Sequence, residues 1–93
     1  MRLAFEWDAA KAASNEAKHG VSFTVAARVF LDPWRIEAQD NRRDYGEPRC
    51  GVIGAVGGVL LYVVYTRRGD THRIISARKA NGKERTRYGS PQH

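Results

Sequence analysis

Two short turns divide the second half of the chain into three strand-like stretches, and this spacing constrains the fold more than any other feature. Arg49–Val56 and Val59–Arg67 flank Gly57-Gly58, and Gly69-Asp70 leads on into Thr71–Ala77. Glycine readily adopts the positive φ angles that two-residue hairpin loops require. The pattern predicts an antiparallel meander, whose central strand is the nearly continuous apolar run VLLYVVYT, covered on both faces.

The first third of the chain has helical patterns instead. Leu3–Trp7 predicts a short strand, and Asp8 is placed to cap a helix that ends at Gly20. Ser22 is placed to cap a second helix over Phe23–Phe30, where apolar residues recur at helical spacing.

Two further stretches complete the order of elements. Trp34–Gln39 predicts a strand, and Asp40–Pro48 predicts a polar connection to the meander. Near the end of the chain, Asn81 and Glu84 have the spacing of a capping box, which predicts a last helix to about Tyr88.

Together these elements predict one α+β domain over residues 1–93. A short strand and two helices pack on a four-stranded antiparallel meander, a helix follows, and residues 89–93 fray. The single cysteine, Cys50, excludes an internal disulfide and is compatible with a reducing compartment. Charged residues interrupt residues 1–14, and the longest apolar run is shorter than the roughly 20 residues that cross a bilayer. We therefore expect a cytoplasmic protein without a signal peptide or membrane contact.

Charge is distributed unevenly along the chain. Residues 67–88 contain eight Lys or Arg and two acidic residues, whereas residues 1–66 contain eight of each. The net charge of +6 therefore comes from this last segment. A local excess of this kind indicates a polyanionic partner, and nucleic acid is the leading candidate.

Arg67 and Arg78 are the leading candidates for phosphate contacts within this basic segment. A two-residue loop in the second hairpin places Arg67 opposite His72, and regular alternation then puts Arg78 on the same sheet face. Two guanidinium groups on one face can bind a phosphodiester and stabilise the charge that develops during its cleavage. The alternatives are a solvated basic face or an ion pair with Glu37 or Glu47.

Histidine supplies the second group of candidates. His19, in the sequence Lys18-His19-Gly20, titrates near neutrality and could remove a proton from a ribose 2′-hydroxyl. Lys18 and His19 at the end of a helix also complement its dipole, which is the structural alternative. His72, beside a turn, is a comparable candidate.

Other polar residues have weaker claims. Glu47 and Arg49 flank Pro48, and this carboxylate could act as a general base or simply form an ion pair with its neighbour. The candidate RNA contacts are Arg49, Arg73, Lys79, Arg85 and Tyr88. For the charges of the last helix, the alternative is an ordinary solvated surface.

Metal chemistry has little support in the sequence. The three histidines lie far apart, and the lone cysteine has no partner of its own kind. Gly57-Gly58 lacks the lysine and helix that follow in a phosphate-binding loop. The sequence thus predicts no metal and no cofactor.

Seven motifs in order resemble the BrnT family, the toxin half of BrnT/BrnA type II toxin–antitoxin modules. They cover nearly the whole chain: F-x-W-D (Phe5–Asp8), N-x-x-K-H-G-V-S-F (Asn15–Phe23), A-x-x-V-F-x-D (Ala26–Asp32), G-E-x-R (Gly46–Arg49), V-V-Y-T-x-R-G (Val63–Gly69), R-I-I-S-A-R-K-A (Arg73–Ala80) and E-R-x-x-Y (Glu84–Tyr88). The sequence departs from its relatives at Asn81-Gly82-Lys83, where they have a more helical, charged stretch.

This resemblance implies a fold related to RelE-like ribonuclease toxins and a metal-independent endoribonuclease that arrests translation and growth. It implies a BrnA-like antitoxin as partner, in a 2:2 heterotetramer whose antitoxin binds the operator DNA. The site residues that it implies are Lys18, His19, Glu47, Arg49, Arg67, Arg78, Glu84 and Tyr88.

The resulting hypothesis is an RNA-cleaving toxin in which Arg67 and Arg78 bind the scissile phosphate. Lys18, His19 or Glu47 would activate the 2′-hydroxyl, which gives a 2′,3′-cyclic phosphate and a free 5′-hydroxyl. Two other hypotheses stay open: a nucleic-acid-binding module without catalysis, and a protein whose basic face receives an acidic partner.

Overall fold

The computed structural model describes residues 3–40 and 46–89. Their strands are β1 (Ala4–Glu6), β2 (Ile36–Asp40), β3 (Arg49–Val56), β4 (Val59–Arg68) and β5 (Thr71–Lys79). Their helices are α1 (Ala9–His19), α2 (Phe23–Ala26), a 3-10 helix (Ala27–Leu31) and α3 (Gly82–Gly89). Most of the predicted polar connection, at 41–45, and the end of the predicted fraying tail, at 90–93, lie outside the described residues.

The strands form one mixed sheet in the order β1-β5-β4-β3-β2. β2 to β5 form the predicted antiparallel meander, and β4 has the predicted central position. β1 adds a fifth strand in parallel to β5, with Phe5 beside His72. The predicted number of four sheet strands is thus too small, because the first strand also pairs with the sheet edge.

Both glycine turns have the predicted geometry. Gly57 and Gly58 adopt φ angles of 57° and 82°, which suit a two-residue hairpin loop. In the second hairpin Arg68 pairs with Thr71, so its loop consists of Gly69 and Asp70.

The predicted helix caps are also present. The Asp8 side chain accepts a hydrogen bond from the Lys11 N–H at 2.9 Å, and Gly20 ends α1 with a φ angle of 72°. Ser22 caps α2 in the same way through the Val25 N–H. The predicted second α-helix is shorter than expected, because after Ala26 the chain tightens into the 3-10 helix.

α1, α2 and the 3-10 helix cover one face of the sheet, which we call the α1 face. Its buried residues form the core: Val21, Phe23, Ala26, Val29, Phe30, Val52, Leu61, Val63, Tyr65, Ile74 and Ala77. The approach is closest at Gly54, where a Cβ atom would lie 3.0 Å from the Cβ of Val29. α3 packs on the opposite face, which we call the α3 face.

The Asn15 side chain connects α1 to the edge of β5 by hydrogen bonds. Its side-chain amide donates to the carbonyl oxygens of Ala77 and Val21 at 2.8 and 3.1 Å, and its Oδ1 accepts the Ala77 N–H at 3.1 Å. β1 pairs with β5 only as far as Arg73. Asn15 therefore satisfies backbone groups of β5 beyond the end of β1.

Candidate functional site

A β-bulge in β5 determines which arginines share a face. Arg67 lies opposite His72 and Tyr65 opposite Ile74, as regular pairing predicts. The register then shifts by one residue at Ile75, so that Arg78 lies opposite Tyr62.

The predicted common face of Arg67 and Arg78 is therefore wrong. Arg67 lies with His72 and Tyr65 on the α1 face, whereas Arg78 and Ser76 lie on the α3 face. One extra residue in one strand reverses the facing of every residue beyond it, relative to regular alternation.

Three rows of residues cross the strands on the α3 face between the second hairpin and α3. The row nearest to the second hairpin is polar and contains Asp40, Arg49, Thr66, Arg73 and Glu6. The middle row has mostly small side chains: Ala38, Gly51, Val64 and Ser76. The third row is apolar and aromatic and ends in a cation: Ile36, Ile53, Tyr62 and Arg78.

Arg78, in the third row, contacts both Glu84 and Tyr62. Its Nη1 and Nη2 donate to the two carboxylate oxygens of Glu84, each at 2.8 Å, in a bidentate pair. Its guanidinium carbon lies 4.6 Å from the centre of the Tyr62 ring. Arg78 thus forms the ion pair that was considered as an alternative, but with Glu84 rather than Glu37 or Glu47.

Glu84 also closes the predicted capping box of α3. It accepts the Asn81 N–H at 2.8 Å, and Asn81 Oδ1 accepts the Glu84 N–H at 2.9 Å. The side chain of Glu84 is only 13% exposed. One carboxylate therefore orients Arg78 and starts α3.

Two more arginines on this face are paired with carboxylates. Arg73 Nη1 lies 2.6 Å from Glu6 Oε2, and Arg68 Nη2 lies 3.4 Å from Glu47 Oε1. Glu47 therefore contacts Arg68 in the described structure. Both pairs are partly exposed, with 29% exposure at the Arg73 side chain and 51% at that of Arg68.

The far end of α3 is tied down by Tyr88. Its hydroxyl donates to Asp32 Oδ2 at 2.6 Å, and Asp32 also accepts the N–H groups of Ala55 and Trp34. Burial acts to raise the pKa of Asp32, but these three hydrogen bonds outweigh it and lower that pKa. The same bond raises the pKa of Tyr88 to about 12.

A groove of about 330 Å³ lies between α3 and the sheet. Its floor is formed by Ile36, Ala38, Gly51, Ile53 and Tyr62. Its rim is formed by Gln39, Asp40, Asn81, Lys83, Glu84 and Arg87. Gly51 is required here, because a Cβ atom at this position would lie 2.2 Å from the Tyr62 hydroxyl.

On the α1 face, Arg67 lies at the edge of a buried aromatic cluster. The rings of Phe30 and Tyr65 lie 4.7 and 5.3 Å from that of His72, and Phe5 completes the cluster. Burial lowers the pKa of His72, and the positive charge of Arg67 lowers it further. His72 is thus a neutral core residue whose Nδ1 is buried without a hydrogen bond.

Tyr65 links this cluster to a charged pair. Its hydroxyl donates to Glu37 Oε1, and Arg35 Nε donates to Glu37 Oε2 at 2.8 Å. Burial and the bond to Glu37 raise the pKa of Tyr65 well above its usual value.

Lys18 and His19 lie apart from the arginines of the α3 face and from the aromatic cluster around His72. They occupy the last turn of α1, are exposed, and lead into Gly20. Gly20 borders a second groove with Leu61 and Lys79, at the end of the sheet away from Arg67. The described structure therefore does not bring the Lys18-His19 pair together with Arg67 or Arg78.

Lys79 and Arg85, two of the predicted RNA contacts, are exposed at the end of β5 and on α3. Across residues 3–40 and 46–89, no three His, Cys, Asp or Glu side chains are grouped so that they could hold a metal ion. Within the same residues, no helix has the length and apolar character needed to cross a membrane.

Comparison with models of known protein families assigns the chain to a family. Residues 7–84 match a model described as the ribonuclease toxin BrnT of type II toxin–antitoxin systems. The chain belongs to the BrnT toxin family. The resemblance seen in the sequence motifs is thereby confirmed. A search of curated proteins finds no match.

The BrnT match includes β2 to β5 and ends at Glu84, and β1 lies before its first residue. It therefore covers the Arg78–Glu84 pair and the three rows of the α3 face except Glu6, whereas Tyr88 lies beyond it. As a member of a type II toxin family, the chain is a ribonuclease toxin and has an antitoxin as partner.

The sequence did not indicate the contacts that two residues make with the arginines of this face. The Arg78 guanidinium lies over the ring of Tyr62, and Glu6 forms an ion pair with Arg73. Gly51 is the one local signal for Tyr62, since a glycine inside a strand often marks a close approach.

Proposed function

We propose that this BrnT-family chain cleaves RNA without a metal ion and binds the RNA backbone on the α3 face. The expected products are a 2′,3′-cyclic phosphate and a 5′-hydroxyl. In this assignment Arg78 keeps its predicted role as a phosphate ligand, and Arg49, Arg68 and Arg73 join it in place of Arg67.

The observation that carries the proposal is the gathering of arginines from three strands on one face. Arg49, Arg68 and Arg73 lie near the second hairpin, and Arg78 lies farther along β5. The rows of Thr66 and Tyr62 are four residues apart along β4, about 13 Å at normal strand rise. This spacing suits contacts with different phosphates of one extended strand of RNA.

Glu47 is the general base that this arrangement favours. At 3.4 Å its contact with Arg68 is longer than those of Glu6 with Arg73, at 2.6 Å, and Glu84 with Arg78, at 2.8 Å. A phosphate can replace Glu47 at the Arg68 guanidinium, which leaves the carboxylate beside the bound nucleotide. Glu84 is less suited, because both of its oxygens are engaged with Arg78 and one also caps α3.

The reaction then proceeds by displacement at phosphorus. Glu47 takes the proton of the 2′-hydroxyl, the 2′-oxygen bonds to phosphorus, and the bond from phosphorus to the 5′-oxygen breaks. The arginines stabilise the added negative charge on the phosphoryl oxygens. The leaving 5′-oxygen takes a proton from solvent.

The family supplies the biological side of the proposal. Cleavage of cellular RNA would arrest translation and growth in the cytoplasm. A BrnA-like antitoxin would neutralise the toxin in a 2:2 complex and would itself bind the operator DNA.

The proposal is tested by incubating purified protein with RNA in EDTA. Folded wild-type protein cleaves the RNA, and its products carry a cyclic phosphate. Glu47→Gln keeps the shape of the side chain but removes the base, so cleavage falls by about 10²–10⁴-fold while RNA binding is retained. Arg73→Ala weakens both binding and cleavage.

The controls separate the α3 face from the alternatives. Arg28→Ala removes an exposed arginine of the 3-10 helix and leaves cleavage unchanged. RNA that stays intact with folded wild-type protein contradicts the proposal. Loss of cleavage in Arg67→Ala or His19→Ala, with Glu47→Gln and Arg73→Ala active, places the site on the α1 side instead.

A further inference from the structure

A row of exposed residues runs along α2 and the 3-10 helix. Val25, Arg28 and Leu31 follow one another at intervals of three residues, and all three are exposed. Residues three apart lie on the same side of an α-helix or a 3-10 helix. Other residues of this segment pack in the core: Phe23, Ala26, Val29 and Phe30. Val25, Arg28 and Leu31 therefore form its outer side, which we call the α2 row.

The α2 row is continuous with the second groove through Val25. This groove has a volume of about 330 Å³. Its apolar lining consists of Val21, Val25, Val56, Val59 and Leu61. Leu31 is 69% exposed, Val59 44% and Val25 40%. Arg28 connects Val25 to Leu31, since the aliphatic part of an arginine side chain is itself apolar. Exposed apolar side chains that adjoin one another in this way mark an interaction surface.

Arg28 gives the middle of the α2 row a positive charge. Within residues 3–40 and 46–89, it forms no ion pair. Lys79 and Glu16 line the second groove and are exposed, and their charges cancel each other. The charge of the whole surface is therefore that of Arg28, and a partner with a carboxylate at this point is complementary to it.

The spacing of the row matches that of an α-helix packed against it. Val25 and Leu31 are six residues apart, which corresponds to about 9–12 Å along helices that rise about 1.5–2.0 Å per residue. Residues i and i+7 of an α-helix are about 10.5 Å apart, and residues i+3 and i+4 lie between them on the same face. A helix with apolar residues at i and i+7 and an Asp or Glu between them therefore fits Val25, Leu31 and Arg28 together.

These features favour an antitoxin over the other occupants. A two-fold contact of the row with that of a second copy places its middle against itself, where two Arg28 side chains repel each other. None of the residues of the row or the groove is aromatic, whereas surfaces that bind unpaired RNA use aromatic rings for stacking. The chain has an antitoxin as partner, and its net charge of +6 attracts an acidic protein segment.

We infer that the α2 row and the second groove bind an amphipathic helix of the antitoxin, with a carboxylate of that helix on Arg28. The inference rests on the antitoxin partner of the proposed function, but not on where RNA is cleaved. This surface belongs to the α1 face, so a bound helix leaves the arginines of the α3 face uncovered. It therefore anchors the antitoxin without itself blocking the proposed RNA site.

The test measures the affinity of purified toxin for purified, full-length cognate antitoxin by isothermal titration calorimetry. Leu31→Asp and Val59→Asp place a charge in the apolar parts of the surface. Each lowers the affinity at least about 30-fold, as loss of a hot-spot contact does. Arg28→Glu places like charges opposite each other and lowers the affinity at least about tenfold.

Two control variants show whether these losses are specific to the surface. Arg28→Lys keeps the positive charge and retains most of the affinity. Lys11→Glu makes the same change in net charge as Arg28→Glu, but in the first half of α1, and leaves the affinity nearly unchanged. Circular dichroism and thermal unfolding confirm that each variant is folded. Without antitoxin, all of the variants cleave RNA as the wild type does.

The outcomes separate this inference from the proposed function. Wild-type affinity for the antitoxin in Leu31→Asp, Val59→Asp and Arg28→Glu overturns the inference even when RNA is cleaved. It is also overturned if Leu31→Asp abolishes self-association of the toxin, or RNA cleavage by it, while antitoxin affinity stays unchanged. Weakened antitoxin binding in these variants, with Lys11→Glu unaffected, supports the surface even if the wild type cleaves no RNA, a result that contradicts only the catalytic proposal.

Discussion

At the scale of single residues, Asn15 makes a polar contact between α1 and β5 inside the fold. It is buried, and its amide exchanges hydrogen bonds with both the N–H and the carbonyl group of Ala77. The third bond, to the Val21 carbonyl, fixes the chain where it leaves α1. The motif N-x-x-K-H-G therefore contains at least one residue with a structural role.

Replacing Asn15 by Ala should destabilise the protein by about 2–4 kcal/mol, because buried backbone groups of β5 lose their partners. Urea unfolding measures the change. The exposed neighbour serves as control, and Ser14→Ala should alter the free energy of unfolding by less than about 0.5 kcal/mol. A similar stability for both variants contradicts the role of Asn15.

His72 makes the stability of the folded protein depend on pH. Its pKa in the folded protein is lowered by burial and by Arg67, while Glu37 opposes and Arg35 reinforces the shift. The unfolded chain therefore takes up a proton near pH 6.5 and the folded protein only at lower pH. The contribution to stability is complete above about pH 6.5 and is lost as the pH falls through the lowered pKa.

We expect His72→Phe to remove this pH dependence, since phenylalanine fits among Phe5, Phe30 and Tyr65 without titrating. Between about pH 7.5 and pH 5, the free energy of unfolding should decrease toward acidic pH in the wild type and change less in the variant. Equal slopes for the two proteins show that His72 does not cause the decline.

The candidate site residues show how far the site could be predicted from sequence. Arg78 and Glu84 were both identified from sequence, and the structure pairs them. The common face of Arg67 and Arg78 was predicted wrongly, because nothing in T-H-R-I-I-S-A-R marks which residue is bulged. A bulge depends on pairing with a neighbouring strand, and local sequence patterns do not contain that information.

At the scale of elements, contacts at its two ends hold α3 on the sheet. None of its residues is buried, and its mean hydropathy is low. Its first turn is held by Asn81 and Glu84, and its last turn by the bond between Tyr88 and Asp32. A short helix without an apolar face is not stable alone, so these polar contacts keep it on the sheet.

Tyr88→Phe should loosen the end of α3 and lower the free energy of unfolding by about 1 kcal/mol. Hydrogen exchange should become faster at the amides of α3 and remain unchanged in β4. Arg85→Ala, on the exposed side of the same helix, is the control. The raised pKa of Tyr88 also means that the bond contributes fully below about pH 10 and is lost as the pH rises toward 12.

The elements were predicted well where short-range chemistry decides them. Asp8, Ser22 and the Asn81–Glu84 pair cap helices as expected, and the two hairpins have the expected loops. The 3-10 helix was not foreseen, because it forms where the backbone at Val29 packs closely on Gly54, far away in sequence. The parallel pairing of β1 was also missed, because it depends on β5, which lies far away in sequence.

At the scale of the whole molecule, the net charge of +6 governs how the toxin meets RNA. The arginines of the α3 face are paired with Glu6, Glu47 and Glu84, so much of the positive charge on this face is balanced locally. The exposed Lys79 and Arg85 add to long-range attraction for a polyanion.

RNA affinity should accordingly fall with salt. Contacts of Arg49, Arg68, Arg73 and Arg78 with four phosphates give a slope of about −3 in a plot of log affinity against log salt, at about −0.7 per phosphate. Fluorescence anisotropy with a 2′-O-methyl oligonucleotide, which cannot be cleaved, measures it. Arg73→Ala should reduce the slope by about 0.7, whereas Arg28→Ala should not change it. A slope that Arg73→Ala leaves unaltered contradicts phosphate contact at this residue.

The β-bulge at Ile75 also has a consequence for comparing relatives of this chain. Because the bulge occupies one extra residue, a relative without residue 75 would form a regular strand and keep Ser76, Ala77 and Arg78 on their present faces. A one-residue gap at this point of an alignment would therefore leave the arrangement of arginines intact. A one-residue deletion elsewhere between Arg73 and Lys79 would keep the same residues on the same faces only if it, too, removed the bulge.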